Sequence, residues 1–176
     1  WVSEDTEIWA TDRFLPHFFK QYGQFLPAEQ RRGAAQFGAN VSSSDLPCSG
    51  LGRQVDIRAS LENGVVFPSR TFSGETNFEV GEVKFVLVEA HGETDDQLFV
   101  WLPQSSILMP GDNWYRAFPN LYTLRGTRPR PVKKWIESLD RMRALEPDIL
   151  LPSHTIPIVG KDVVRDALRD YRDGIQ

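Results

Sequence analysis

Between residues 65 and 109 the chain is a series of short β-rich runs broken by turn residues, and this alternation limits its fold more than any other feature. The runs are 65–67, 78–80, 83–89, 98–102 and 107–109. Gly81-Glu82 is a two-residue hairpin signal, and the turn from Pro103 to Ser106 joins two further runs, so antiparallel neighbours are expected. Pro131 then opens a helix whose apolar stripe is Val132, Trp135, Ile136, Leu139, Met142 and Leu145, and Pro147 closes it. A short buried strand over 149–151 ends at Pro152-Ser153-His154, and a last helix over 161–171 carries Val164, Leu168 and Tyr171 on one face. Strands followed by helices place the chain in the α+β class.

The first third reads differently. Ile8, Trp9, Phe14, Leu15, Phe18 and Phe19 recur at mostly helical intervals over 4–19, with Pro16 expected to break or kink the run. Pro27 starts a second helix toward Gly38, and residues 40–64 form a long Ser-, Gly- and Pro-rich loop with one short strand near 55–57. The expected division is a helical arm and long loop over 1–63, followed by a sheet-and-helix unit over 64–176.

A length of 176 residues suits one domain with a sizeable core. The net charge of -4, with both signs mixed along the chain, gives no uniformly basic face and argues against nucleic acid as a partner. No apolar run approaches the roughly 18 residues of a membrane span. The single cysteine, Cys48, excludes an internal disulfide framework and barely constrains the compartment. The chain opens on Trp1 without initiator methionine or signal peptide, as expected of an excerpt from a longer protein. There is no internal repeat.

Three side chains at strand ends suggest chemistry. Glu93 follows one strand in Gly92-Glu93-Thr94, Asp112 follows another in Pro110-Gly111-Asp112, and His154 follows a third in Ser153-His154. Each has an ordinary alternative: Glu93 as a solvated or capping carboxylate, Asp112 as a turn residue, His154 as a satisfied core histidine. Their order along the chain favours a metal site, with His91 the rival to Glu93 because zinc accepts either group. Asp95 and Asp96 are expected beside it. Of the aromatic residues Trp114, Tyr115, Phe118 and Tyr122, two are expected in the core, and the others could line a channel. Arg128, Arg130, Lys133 and Lys134 cluster at a helix start, most simply as a solvated face that could also attract an anion.

From about residue 85 to His154 the chain resembles the C-terminal half of the metallo-β-lactamase superfamily fold, and the alkyl sulfatase branch in particular. The resemblance rests on Gly92-Glu93-Thr94, where that branch has glutamate in place of histidine, and on Trp101-Leu102-Pro103. It rests most on Asn120-Leu121-Tyr122-Thr123-Leu124-Arg125-Gly126. Residues 31–40 are similar to the helical arm and substrate loop of the same enzymes. The resemblance implies half of an αββα sandwich carrying an N-terminal helical arm. It implies Glu93, Asp112 and His154 as metal ligands for two zinc ions, with Asp112 bridging where alkyl sulfatases carry glutamate. The superfamily's His-x-His-x-Asp-His motif has no counterpart among His17, His91 and His154, so an N-terminal half of the fold is the expected partner, from the same gene product or a separate chain.

The activity implied is zinc-dependent hydrolysis of alkyl sulfate esters by a metal-bound hydroxide, on a small anionic ester substrate. Arg125 is the expected catalytic and sulfate-gripping guanidinium, with Asn120, Phe37 and Asn40 as further substrate-binding positions. Two alternatives stay open: hydrolysis of another ester (thioester, lactone or phosphodiester) on the same fold, and a non-catalytic fragment of it. The resemblance also leaves room for a homodimer.

Overall fold

The computed structural model describes residues 3–38, 41–42, 44–46, 48–49, 52–53, 65–123 and 129–176. Its centre is a six-stranded sheet ordered β10-β9-β8-β7-β6-β5. The strands are β5 (Glu75–Val80), β6 (Val83–Glu89), β7 (Leu98–Leu102), β8 (Ile107–Met109), β9 (Ile149–Leu150) and β10 (Ile158–Val159). β5 to β8 form the antiparallel meander that the sequence suggests, with Gly81 at φ +60° in the tight turn where Val80 faces Val83. β8 and β9 then pair in parallel, across the connection that contains α3 (Val132–Ala144).

The register sorts side chains onto two faces. Val88, Phe99, Leu108 and Leu150 form one face, which packs under α3 and α4 (Lys161–Ile175). Trp135, Leu139, Met142, Val164 and Leu168 are fully buried there. On the opposite face Phe78, Phe85, Leu87, Val100, Leu102, Ile107, Met109 and Ile149 follow one another across the strands, almost without a polar residue. Only Leu87 and Leu102 of these are buried, and Val80, Val83 and Val159 at its margins are exposed. Trp9 stacks on Phe78, which stacks on Phe85.

The arm departs from expectation. The helix expected over 4–19 is instead a turn, the strand β1 (Trp9–Thr11) and the shorter α1 (Phe14–Phe19). β1 pairs in parallel with β4 (Arg70–Phe72), whose main chain satisfies its backbone groups. Pro16 does not break α1, because it lies in the first turn, where a missing N–H removes no helical bond. A π-helical turn, Lys20–Gln24, leads into α2 (Leu26–Gln36). Residues 65–67 are not a strand; Phe67 packs its ring against Phe18 and Phe19 of the arm. A small hairpin pairs β2 (Cys48–Ser49) with β3 (Gly52–Arg53). The strand expected near 55–57 lies outside the described residues. Among the described residues no helix is long and apolar enough to cross a membrane.

Candidate metal centre

β6, β8 and β9 run in the same direction, because β6 and β8 are each antiparallel to β7 and β9 is parallel to β8. Their C-terminal ends therefore share one edge of the sheet. The loops leaving that edge carry Glu93, Asp112 and His154.

Asn113 builds the edge. It is fully buried in a 3₁₀ turn, Gly111–Asn113; its Nδ2 donates to the Ala90 carbonyl at 2.7 Å, and its Oδ1 accepts from the Glu93 backbone N–H at 3.0 Å. Trp135 Nε1 of α3 donates to the Asn113 carbonyl at 2.9 Å, and Ser138 Oγ donates to the His91 carbonyl at 2.7 Å. One helix therefore underpins both loops. Gly111 has φ +60°, and a Cβ there would lie 2.2 Å from Gln97 Nε2, so no other residue fits this turn without displacement.

Asp112 and His154 are brought together, with His154 Nε2 3.5 Å from Asp112 Oδ1. That oxygen is buried and has no hydrogen-bond partner among the described residues. A desolvated carboxylate lone pair beside an imidazole nitrogen is a donor set suited to a borderline cation such as zinc. Glu93 stands on the same edge, but its carboxylate is paired with the Arg130 guanidinium. Among the described residues no three His, Cys, Asp or Glu side chains are close enough to hold a metal ion together. The donor types fit the cation; the described residues provide part of its shell.

His91 is committed elsewhere. Its Nδ1 lies 2.9 Å from the Asp95 carbonyl oxygen and its Nε2 3.3 Å from Glu89 Oε1, so both ring nitrogens face oxygen atoms of its own loop and strand. This favours Glu93 over His91 as ligand. Burial pushes the Glu89 carboxyl up, but the Gly74 N–H, Arg13 and His91 outweigh it, and its pKa lies below the ordinary 4.5. Asp96 accepts a hydrogen bond from Thr11 Oγ1 at its carbonyl and faces His17 at 4.0 Å, which ties the arm to the Glu93 loop.

A cleft of about 740 Å³ opens between the arm and this edge. His17, Lys20 and Phe25 line it from the arm, and Glu93, Tyr122 and Arg130 line it from the sheet unit. Arg130 is the residue that sequence reasoning underrated. Far from being part of a solvated basic face, its side chain is 8% exposed and pairs with Glu93. Lys133 and Lys134 are exposed, as a solvated face requires. Flanking prolines at 129 and 131 were the available signal, since they fix the backbone from which Arg130 projects.

Of the remaining expected residues, Asn120 and Phe37 are described. Asn120 is exposed; its N–H donates to Tyr115 Oη at 2.9 Å, and its carbonyl accepts from Arg130. Phe37 is exposed at the end of α2 and does not line the cleft. Arg125 and Asn40 lie outside the described residues. Of the four aromatic residues Trp114 is buried and Tyr115 half-buried, whereas Phe118 and Tyr122 are exposed and only Tyr122 reaches the cleft.

A family model, the metallo-beta-lactamase superfamily, matches residues 24–154. A linear primary-alkylsulfatase of Pseudomonas sp. is 28% identical over 98% of this chain and 33% of its own length. An (R)-specific secondary-alkylsulfatase of Pseudomonas sp. is 30% identical over 95% of this chain and 26% of its own length. The chain thus spans about a third or less of the curated relatives it matches. Among solved structures it is similar to the stereoselective inverting sec-alkylsulfatase Pisa1 from Pseudomonas sp., with a TM-score of 0.81 and 27% identity, covering 95% of this chain and 27% of that one. The motif resemblance, the sheet topology and these matches agree, and the chain belongs to the metallo-beta-lactamase superfamily, in its alkyl sulfatase branch.

Proposed function

We propose that the chain provides one side of the active centre of a zinc-dependent hydrolase of alkyl sulfate esters. The observation that carries this reading is the buried Asp112 Oδ1 turned toward His154 Nε2 at 3.5 Å, on the sheet edge that also carries Glu93. Asp112, His154 and Glu93 would hold two zinc ions, with further ligands from outside this chain. When bound, such ions lower the pKa of water from about 15.7 to about 7 and so supply hydroxide at neutral pH.

The chain's own residues bind and orient. Lys20 brings positive charge to a cleft that also contains Glu29, Glu93 and Asp95, and Phe25 and Tyr122 give it apolar wall for an alkyl tail. Arg125 is the proposed grip on the sulfate oxygens, with Asn120, Asn40 and Phe37 as further proposed contacts. The apolar sheet face is the proposed seat of the N-terminal half of the fold, because an apolar face of this extent needs a covering layer.

The test is sulfate release from sodium dodecyl sulfate, with zinc content measured on the assembled protein. Zinc together with sulfate release supports the reading. Zinc with hydrolysis only of a thioester, lactone or phosphodiester keeps the fold and replaces the substrate. Absence of zinc after reconstitution rejects the metal centre. A folded, monodisperse monomer of the 176-residue chain alone, by light scattering, would reject the partner half.

A further inference from the structure

We propose that Arg130 is a positioning residue that sets Glu93 as a metal ligand and locks it to the 120–121 segment; this rests on the metal-centre reading above. Its guanidinium bridges two elements that sequence keeps apart. Nη2 donates to Glu93 Oε1 and Nη1 to the Asn120 carbonyl. The Arg130 backbone N–H also donates to the Leu121 carbonyl at 3.1 Å.

The origin of the side chain is rigid. Pro129 and Pro131 restrict the backbone on either side, and Pro131 is the N-terminal boundary of α3. The same helix holds Asn113 through Trp135, and Asn113 holds the Glu93 main chain. Glu93 is thus fixed at two points, its backbone by Asn113 and its carboxylate by Arg130. A forked, permanently charged group is needed because one side chain serves two acceptors in different directions, which the single ammonium of lysine does less well. Arg130 holds the carboxylate through Oε1 and so fixes its orientation. Ligands oriented in this way lose about 10- to 100-fold in metal affinity when the outer partner is removed.

The experiment measures zinc affinity of the assembled protein by chelator competition for wild type, Arg130→Met, Arg130→Lys, Glu93→Gln and the double variant Glu93→Gln with Arg130→Met. The expected result is a loss of about 10- to 100-fold in Arg130→Met and a smaller loss in Arg130→Lys. In the Glu93→Gln background Arg130→Met adds no further loss, because Arg130 acts through that carboxylate. If Arg130→Met does not fold, the smaller loss in Arg130→Lys and its disappearance in the Glu93→Gln background carry the test. Wild-type affinity in the folded Arg130 variants, or equal losses in both backgrounds, overturns the proposal while leaving the metal centre standing. A wild-type protein that takes up no zinc overturns both.

Discussion

Asn113 joins Glu93 through a 3.0 Å hydrogen bond from the Glu93 backbone N–H to its side-chain oxygen, with Asn113 itself fully buried. The same amide donates to the Ala90 carbonyl, so one side chain fixes both ends of the loop that delivers Glu93. Asn113→Ala leaves both backbone groups without this partner in a site closed to water. The expected loss is about 1–3 kcal/mol for each buried group orphaned, read from urea unfolding. Asn113→Asp keeps the acceptor for Glu93 but sets a buried carboxylate oxygen against the Ala90 carbonyl, so at neutral pH it should destabilise at least as much as Asn113→Ala. Stability unchanged in Asn113→Ala would mean that the loop is held by other contacts.

Gly92 sits where the loop passes closest to its support. A Cβ at this position would lie 2.2 Å from Asn113 Oδ1 and 2.9 Å from Trp135 Cδ1, and neither buried neighbour has room to withdraw. Gly92→Ala should therefore destabilise by about 1–3 kcal/mol through overpacking. Gly174, inside α4 with nothing within 4 Å of an added Cβ, provides the contrast. Gly174→Ala should stabilise by up to about 1 kcal/mol through helix propensity. A thermal-unfolding comparison in which the two variants shift alike would contradict the close approach at Gly92.

The strands that sequence made legible were those with local partners. β6, β7 and β8 match the expected runs because each pairs with its chain neighbour, so their limits are set by the turns between them. β1 escaped detection because Trp9, Ala10 and Thr11 pair with Arg70, Thr71 and Phe72, a non-local contact that local periodicity cannot report. The candidate site divides in the same way. Asp112 and His154 could be named from their turns, but their meeting depends on the parallel pairing of β8 with β9. Arg130 looked like one cation in a basic cluster, and only its burial against Glu93, far back in the chain, separates it from Lys133 and Lys134.

Glu89 gives the fold a defined response to acid. Its carboxylate receives the Gly74 N–H at 3.0 Å and Arg13 Nε at 2.8 Å and lies beside His91; these outweigh its burial and hold its pKa below 4.5. A carboxyl group with a lower pKa folded than unfolded contributes stability that is present above the unfolded value. That contribution is lost as pH falls from about 4.5 through the folded value. Glu89→Gln removes the charge at every pH. Its urea midpoint should lie below wild type at neutral pH, and the gap should shrink as pH is lowered from 4.5. A gap of constant size down to acid pH would show that the loss comes from packing and not from the charge.

His154 allows function to be separated from folding. Its side chain is 61% exposed and lies beside Asp112. Substitutions at exposed positions away from structural features usually change stability by less than about 0.5 kcal/mol, and His154→Ala should stay within that range. Asp112→Asn preserves shape and removes the charge that a bound cation would require, so its folding should change little as well. If both are ligands, each variant should lose more zinc affinity than the about 10- to 100-fold that removal of an outer partner costs, and sulfate release should fall with it. Chelator competition and dodecyl sulfate turnover on the same assembled preparations decide the matter. Loss of turnover with zinc affinity intact would make His154 a substrate contact, whereas loss of both at unchanged stability would make the 3.5 Å pair part of the metal shell.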